Sequence, residues 1–522
     1  MNILEKVLCL FRPGSKPSLP LELMEAVKNQ DFQLLLGPFR TWVTNERDTQ
    51  GKSELFALAR ASGWSAVDLE KLDIYFDFYS GEMLSAFEKA RPFCSKDKID
   101  VDLYLLSLAI LYQKEQFEDA YTYLSIIPSD SQFLSVRMDY WLIRQLICWS
   151  LGKQSETLAA LEKMSEIDPD NISLLENSLP VYIEFGDISK VEKILEVLEG
   201  SEAKLGYNYA ISLLSLGDYE RGFAQLEKRY AMDEAQRYIN PALFSCERWK
   251  GQKIEGKTLL VSAEQGLGDT IQMARYLSML VVSTGAAIVM ETQPESLSLL
   301  ESNFPRVRFF AREYGRLPPV AFDYWIGAFS LPAIFLTNQE SIPERDGYLT
   351  VAEDSKHYWK ERLASVSSGH KPKIGLVWSG QPRHRADRRR SVPFELLERF
   401  LGEFDVDFYA LQINGLACAR GKLFSFSDEM LTLADTAALC GEMDLVITVD
   451  TSVAHLAGGL GKKTWLMLPH RYEWRWGLTG DTCPWYKSIR VFRQERVGNW
   501  QTVLNQVFDI ELKNYIKHWR SI

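Results

Sequence analysis

The chain has 522 residues, 46% of them hydrophobic and 25% charged, with a formal net charge of −11. That is the composition of an ordinary globular protein of about three domains. The acidic balance argues against wholesale nucleic-acid binding while allowing a local basic site. No apolar run approaches the ~18 residues of a membrane-spanning helix, and Met1–Lys6 lacks the features of a secretory leader. None of the seven cysteines forms a CxxC pair, so neither a zinc site nor a disulfide framework is signalled, and a reducing cytoplasm is expected.

The first 98 residues show helical periodicity without a clear repeat, as in Leu55-Phe56-Ala57-Leu58-Ala59-Arg60. From 99 to 240 a repeat emerges. Segments starting at Glu115, Gly152, Gly186 and Gly217 align at offsets of 37, 34 and 31 residues, around the ~34-residue period of helix-turn-helix arrays. Each unit has an apolar helix, a turn often marked by Gly, and a second helix with a small residue early. Ile167-Asp168-Pro169-Asp170-Asn171 is a breaker between units. Stacked pairs of this kind offer a concave surface to an extended peptide or a partner protein. Packing on the next domain, or self-association, is the other reading.

After Pro241 the pattern changes. Strand-like runs at 258–263, 287–291, 307–310, 323–326, 374–378, 406–411, 444–449 and 464–468 alternate with helical stretches at 270–283, 295–302, 354–365, 394–402, 434–441 and 452–460. This alternation predicts parallel sheets covered by helices. Eight strands suit two sheets better than one: a first domain over 241–368 and a second over 369–522, divided near Ser367–Pro372. Open α/β sheets bind ligands beyond the carboxyl ends of their strands, and three clusters fall there.

The first is Ala263-Glu264-Gln265-Gly266-Leu267-Gly268-Asp269-Thr270, between a strand and a helix. Its glycines, Gly266 and Gly268, allow close approach to the backbone, and Asp269 is a carboxylate at that place; a plain helix cap is the alternative. The second follows Gly375-Leu376-Val377-Trp378 and runs Ser379-Gly380-Gln381-Pro382-Arg383-His384-Arg385-Ala386-Asp387-Arg388-Arg389-Arg390-Ser391. Its arginines offer bidentate donors to phosphate, or form a solvated loop. The third is Asp450-Thr451-Ser452-Val453-Ala454-His455-Leu456-Ala457-Gly458, where Thr451 or Ser452 caps a helix whose free N–H groups suit a phosphate. His455, one turn in, faces either the ligand or the core.

Together with Trp474-Arg475-Trp476 and Pro484-Trp485-Tyr486, these motifs make residues 246–510 resemble the carboxyl-terminal module of bacterial tetratricopeptide-repeat glycosyltransferases. Those are related to ADP-heptose heptosyltransferases and, more distantly, to O-linked N-acetylglucosamine transferases. Residues 99–240 resemble degenerate tetratricopeptide repeats. Two features depart from the family pattern: Gln381 stands where Asn is expected, and Arg388–Arg390 is more basic than usual. The resemblance implies a tetratricopeptide-like solenoid followed by a GT-B fold of two Rossmann-like domains, with the nucleotide mainly on the second. It implies inverting, metal-independent transfer, with no cofactor beyond the nucleotide-sugar substrate. A CMP-activated nonulosonic acid is the favoured donor, with ADP-heptose or a UDP-sugar next. The implied partner is a flagellin-like protein acceptor held by the repeats, with no nucleic acid, no integral membrane segment, and homo-oligomer formation left open.

By position, Asp269 is the expected base for the acceptor hydroxyl. Gly266, Gly268, Ser379, Gly380, Arg388, Arg390, Ser391, Asp450, Thr451, Ser452 and His455 are the expected donor- and phosphate-binding residues. Base recognition is expected between Gln412 and Leu433. Trp474 and Arg475 line the donor pocket or form a packed wall at the domain junction. The helix Asn514–Trp519 is expected to cross back onto the first α/β domain, and a fragment starting near Ser245 is expected to keep nucleotide binding. A lipopolysaccharide-type heptosyltransferase and a non-catalytic repeat scaffold are the alternatives.

Overall fold

The computed structural model describes residue 43 and residues 49–95, 98–127, 134–201, 206–231, 239, 241–313, 315–367, 369–381, 387–412 and 423–519. Most of the first 48 residues, Arg383, His384 and Arg385 of the basic loop, and 413–422 of the base-recognition stretch lie outside the described residues. The chain divides into two compact units, Met1–Ser178 and Leu179–Ile522.

Among its described residues the first unit is helical, apart from a two-stranded antiparallel ribbon, β1 (Cys94–Ser95) with β2 (Lys98–Ile99). Local chemistry sets its helix ends. Ser65 caps Ala66–Ser80 by accepting the Asp68 N–H, and Gly81 closes that helix at φ +91°. Asp100 caps Val101–Gln113 through the Leu103 N–H. Helix pairs Val101–Gln113/Phe117–Leu124 and Met138–Ser150/Gln154–Ile167 occupy the first two repeat positions, with Glu115 and Gly152 left-handed in their turns.

In the second unit Gly186 and Gly217 are left-handed in the turns of Ile172–Glu184/Ile188–Glu199 and Tyr207–Ser215/Tyr219–Leu226. All four aligned positions of the sequence repeat are thus turns at positive φ, a conformation that costs a side chain but not glycine. The early small residue has a steric reason in the last pair. A Cβ on Gly222 would sit 2.6 Å from Leu214 Cδ2.

Two parallel sheets follow. The first is ordered β5-β4-β3-β6, from β3 (Thr258–Ser262), β4 (Ala287–Thr292), β5 (Val307–Ala311) and β6 (Tyr324–Gly327). The second is ordered β12-β11-β10-β7-β8-β9, from β7 (Lys373–Val377), β8 (Asp407–Ala410), β9 (Leu423–Ser425), β10 (Leu445–Val449), β11 (Thr464–Leu468) and β12 (Ile489–Arg493). All eight strands read from the sequence are present. The chain order reverses beside β3 in one sheet and between β10 and β7 in the other, so the loops after these three strands open at the switch points.

Several expectations are corrected. The helix read over 270–283 is two, Leu267–Ala274 and Leu277–Thr284, broken where Arg275 and Tyr276 both turn inward to full burial. Helix Glu353–Ala364 buries Trp359 and Leu363 among Val377, Tyr409 and Leu439 of the second sheet's layer; it belongs with that sheet rather than the first domain. The carboxyl-terminal helical stretch does not cross back. Phe508 stacks on Phe400 at 4.7 Å, and Val503, Val507, Leu512 and Ile516 fill the second sheet's core.

The last helix pair is part of the α/β core. Leu214, Tyr219, Phe223 and Leu226 pack in one cluster with Trp474 and Trp485, with Phe223 edge-on to both indoles. Just after it, Arg229 grips Glu264 in two parallel bonds, Nε to Oε2 at 2.9 Å and Nη2 to Oε1 at 2.8 Å. Both side chains are buried, at 4% and 2% exposure. Phe329 N–H, Ser330 and Tyr230 complete the network. A fragment starting near Ser245 would leave Glu264 as an unpaired buried charge and bare an apolar face.

Removing one partner of such a pair costs about 3–5 kcal/mol. Glu264→Leu should therefore lower the thermal midpoint strongly, and adding Arg229→Met should recover part of the loss. A double variant as unstable as the sum of the single changes, by calorimetry of the full chain, would show that the two charges do not depend on each other.

Candidate functional site

The loop after β3 is tightly specified. Gln265 is left-handed at φ +58°, an unfavourable place for a side chain. Its carbonyl accepts from Gln293 Nε2 at 3.2 Å, and Thr270 Oγ1 donates to the same Gln293 at 2.8 Å. Gly266 starts the helix Leu267–Ala274 with extended backbone, φ −94° and ψ 175°, and its N–H donates to Asp269 Oδ2 at 2.8 Å. Any residue could adopt that φ. The glycine requirement lies at Gly268 instead, where a Cβ would stand 2.6 Å from His455 Cδ2 and 3.5 Å from Ser452 Cα. Gly268 lets Leu267–Ala274 and Ser452–Gly459 touch, so both helix N-termini open on one cleft.

That cleft has a volume of about 830 Å³. Of the residues singled out from sequence, Gly266, Gly268, Asp269, Ser379, Gly380, Arg390, Gln412, Asp450, Thr451, Ser452, His455 and Arg475 line it. Arg388, Ser391 and Trp474 are not among its lining. Arg388 is exposed on the turn Asp387–Arg390, and its neighbour Arg389 lines the cleft instead. Ser391 works from behind, with its Oγ accepting the Gly380 N–H at 3.2 Å. Trp474 is a packed wall against Tyr219, Phe223 and Trp485.

Gln412 braces the end of β7. Its Oε1 accepts the Trp378 N–H at 3.0 Å and its Nε2 donates to Ser379 Oγ at 3.1 Å. Arg390 lies flat on Gly380, whose Cβ would fall 2.5 Å from the Arg390 Nη2, and its Nε donates to Asp387 at 3.2 Å. Thr451 caps Ser452–Gly459 through extended backbone, without a side-chain cap bond. Its Oγ1 is buried and has no hydrogen-bond partner among the described residues. That leaves an oriented hydroxyl beside unclaimed helix N–H groups, the arrangement that receives an anion.

Charge is densely compensated in the cleft. Arg475 donates through Nε to Gln272 at 2.7 Å, through Nη1 to Glu473 at 3.3 Å, and through Nη2 to Asp269 Oδ1. Burial opposes the Arg475 charge, but Asp269 and Glu473 outweigh it and raise the guanidinium above its usual value. Burial, then Arg475 and Arg275, hold His455 well below the ordinary imidazole value, so it is neutral. Its Nδ1 meets Tyr486 OH at 3.0 Å and its ring lies 4.8 Å from that of Trp476. Asp450 is pushed up to about 6 by burial and by Glu473, against Arg390 and Arg475.

Glu295, Arg389, Arg471 and Glu473 also line the cleft, as do the apolar Val377, Leu411, Leu431, Leu433 and Val453. Arg471 and Glu473 stand just beyond Leu468, the end of β11, where the strand-end rule points to them. Leu431 and Leu433 fall within the stretch 412–433 expected to recognise the base, whereas Glu295 carries no such signal.

No family model matches the chain. Protein FlbA of Caulobacter vibrioides is 28% identical over 401 residues, covering 70% of this chain. The chain thus spans 66% of that relative's length, just under two thirds. Among solved structures, a glycosyl transferase family 9 protein of Veillonella parvula is 12% identical, covers 50% of this chain and 94% of its own, and has a TM-score of 0.36. The ADP-heptose lps heptosyltransferase II of E. coli is 13% identical over 49% of this chain and 99% of its own, with a TM-score of 0.33. The dodecameric TibC glycosyltransferase of E. coli is 12% identical over 48% and 67%, with a TM-score of 0.31.

Proposed function

We propose that the chain is an inverting glycosyltransferase of the GT-B type. It moves a sugar from a nucleotide-activated donor to Ser or Thr hydroxyls of a flagellin-like protein in the cytoplasm. The tetratricopeptide-like repeats hold the acceptor, and assembly into a homo-oligomer is compatible with this reading. The donor favoured by the motif resemblance is a CMP-activated nonulosonic acid, ahead of ADP-heptose or a UDP-sugar. The supporting observation is one cleft in which a carboxylate, arginines and the capped helix end at Thr451 converge at the carboxyl ends of parallel strands.

In the proposed reaction the acceptor oxygen attacks the anomeric carbon and the bond from that carbon to the donor phosphate oxygen breaks. The nucleotide leaves with the electron pair and Asp269 takes the hydroxyl proton. Arg475 and the Gly266 N–H each use one side of the Asp269 carboxylate and fix its direction, while each oxygen keeps a second lone pair. Arg390, Thr451 Oγ1 and the N–H groups of Ser452–Gly459 meet the charge that develops on the leaving phosphate.

The identifying test is a thermal-shift panel of CMP, UDP, GDP and ADP, followed by label transfer from the matching sugar nucleotide to flagellin or to lipopolysaccharide core. A nucleotide at 100 times its dissociation constant stabilises by about 2.7 kcal/mol. No shift with any of the four would sink the nucleotide reading. Transfer to lipopolysaccharide alone would favour the heptosyltransferase alternative, and binding without transfer the scaffold.

Asp269→Asn should keep nucleotide binding and lower turnover by ~10²–10⁴-fold; unchanged turnover would remove Asp269 from the mechanism. Arg390→Ala should weaken the nucleotide by about 1.5–3 kcal/mol, and equal affinity by calorimetry would reduce Arg390 to packing on Gly380.

The pH dependence has a definite sign. Asp450, at about 6, is charged above that pH and protonated below it. If its carboxylate accepts hydrogen bonds from the donor sugar, kcat/KM should rise through pH 6, and Asp450→Asn should lose that limb. An unchanged limb in the Asn variant would assign it to another group.

A further inference from the structure

Tyr486 is wholly buried, yet its hydroxyl reaches a residue of the cleft, at 3.0 Å from His455 Nδ1. Two glycines make this meeting possible. At Gly458, one turn beyond His455, a Cβ would stand 2.5 Å from Tyr486 Cδ1. At Gly268 a Cβ would stand 2.6 Å from His455 Cδ2, 3.3 Å from its Nε2 and 3.5 Å from Ser452 Cα. Helical side chains lean back toward the N-terminus of their helix, and the last of these distances puts the Nε2 edge beside the first residue of Ser452–Gly459. The Nδ1 edge faces the buried phenol. Both Gly268 and His455 line the cleft, and Nε2 has no hydrogen-bond partner among the described residues.

Which ring nitrogen of a neutral imidazole carries the proton follows from the bond that the other one makes. A phenol is a good donor and a poor acceptor, because its oxygen lone pair is shared with the ring; an unprotonated imidazole nitrogen is a good acceptor. Arg275 strengthens this sense. Its guanidinium lies 4.6 Å from the centre of the Tyr486 ring, and among the described residues its bonds go to the carbonyls of Gln272, Pro343 and Trp485 rather than to a carboxylate. A cation so placed polarises the phenol O–H toward donation. Arg475, the other cation acting on His455, donates to Gln272, Glu473 and Asp269. Nδ1 thus accepts from Tyr486, and the proton stays on Nε2.

We propose that Tyr486 fixes His455 as its Nε2–H tautomer, and that this N–H donates to a phosphate oxygen of the nucleotide donor. His455 is then a binding residue and Tyr486 its positioning residue. The phosphate contact rests on the nucleotide-sugar reading of the cleft; the tautomer does not. An imidazolium in this place would repel Arg475 and add a buried charge. A neutral N–H gives the phosphate a directed bond without that cost.

The test begins with NMR of the full chain labelled with heavy nitrogen at its six histidines; the His455 signals are those missing from His455→Gln. The free protein should show a protonated, pyrrole-type Nε2 and a pyridine-type Nδ1. The Nε2 proton should shift with whichever of CMP, UDP, GDP or ADP stabilises the chain, and not with the matching nucleoside. Tyr486→Phe should mix the tautomers and weaken the nucleotide about 2–10-fold, the range for one neutral hydrogen bond. His455→Asn, whose amide nitrogen overlays Nδ1, should weaken it ~10–100-fold, and His455→Gln, whose amide nitrogen overlays Nε2, only about threefold. Nucleoside affinity should not change. A protonated Nδ1 in the free wild type would overturn the tautomer whatever the cleft binds. A single tautomer with full affinity in Tyr486→Phe would overturn the positioning role. Equal losses in the Asn and Gln variants, or an equal loss for the nucleoside, would overturn the phosphate contact. Silence of the wild type to all four nucleotides would overturn that contact together with the reading it rests on.

Discussion

The buried bond between Arg229 and Glu264 is the constraint on which the rest of the second unit depends. Two charges have been taken fully out of water, which is costly unless every donor and acceptor is met. Here they are: the fork is bidentate, Tyr230 and Ser330 take the remaining Arg229 Nη2 contacts, and the Phe329 N–H donates to Glu264. Glu264 sits between the end of β3 and Gly266. Clamping it fixes where the chain leaves the sheet, which holds Gln265 in its left-handed conformation and aims the helix that carries Asp269. Gly327 belongs to the same design, since a Cβ there would fall 2.2 Å from Glu264 Oε1. The cleft's first wall is thus set by an arginine on the far side of the repeat boundary.

The second consequence is electrostatic. Among the described residues, Arg475 in the cleft is paired with Asp269 and Glu473, and Arg390 with Asp387. Arg475 is committed on three sides, His455 is held neutral, and Asp450 is held near the protonation boundary by Glu473 and its own burial. Fixed dipoles and paired charges of this kind need little rearrangement when charge develops on a ligand. Thr451 adds a hydroxyl with no partner among the described residues, at the start of the helix Ser452–Gly459.

Much of this layout was legible before any coordinates. The six inner strands are largely apolar runs because both faces of a parallel sheet are covered, so Leu445–Val449 and Thr464–Leu468 announce themselves. The edges do not. Leu423–Ser425 is three residues long, and Ile489–Arg493 is interrupted by the half-buried Arg490 and Arg493. The turn residues Gly152, Gly186 and Gly217 also read correctly, because left-handed backbone selects glycine. What the sequence concealed is long-range: Arg229 meets Glu264 across 35 residues, Arg475 meets Asp269 across 206, and Arg471 meets Glu184 across 287. Charged pairs at such separations leave no local period. A second reason for glycine at 268 was likewise invisible from the loop alone, since its small size serves His455 on another helix.

These long-range pairs bear on how the two kinds of architecture are joined. A repeat array that merely delivered an acceptor could be attached through a solvated linker, and its junction would be polar and interchangeable. The junction within the second unit is of the opposite kind. Tyr219 and Phe223 are edge-on to Trp474 and Trp485, in the same cluster that holds Leu259, Val261 and Leu466 from the two sheets. Two residues on from Trp485's partner Trp474 lies Trp476, packed on the neutral His455 of the cleft. The helices, the aromatic wall and the ligand-facing helix end are therefore consecutive layers of one packed body. Protein cores are close-packed, so the last helix pair belongs to the same core as the aromatic wall behind the cleft.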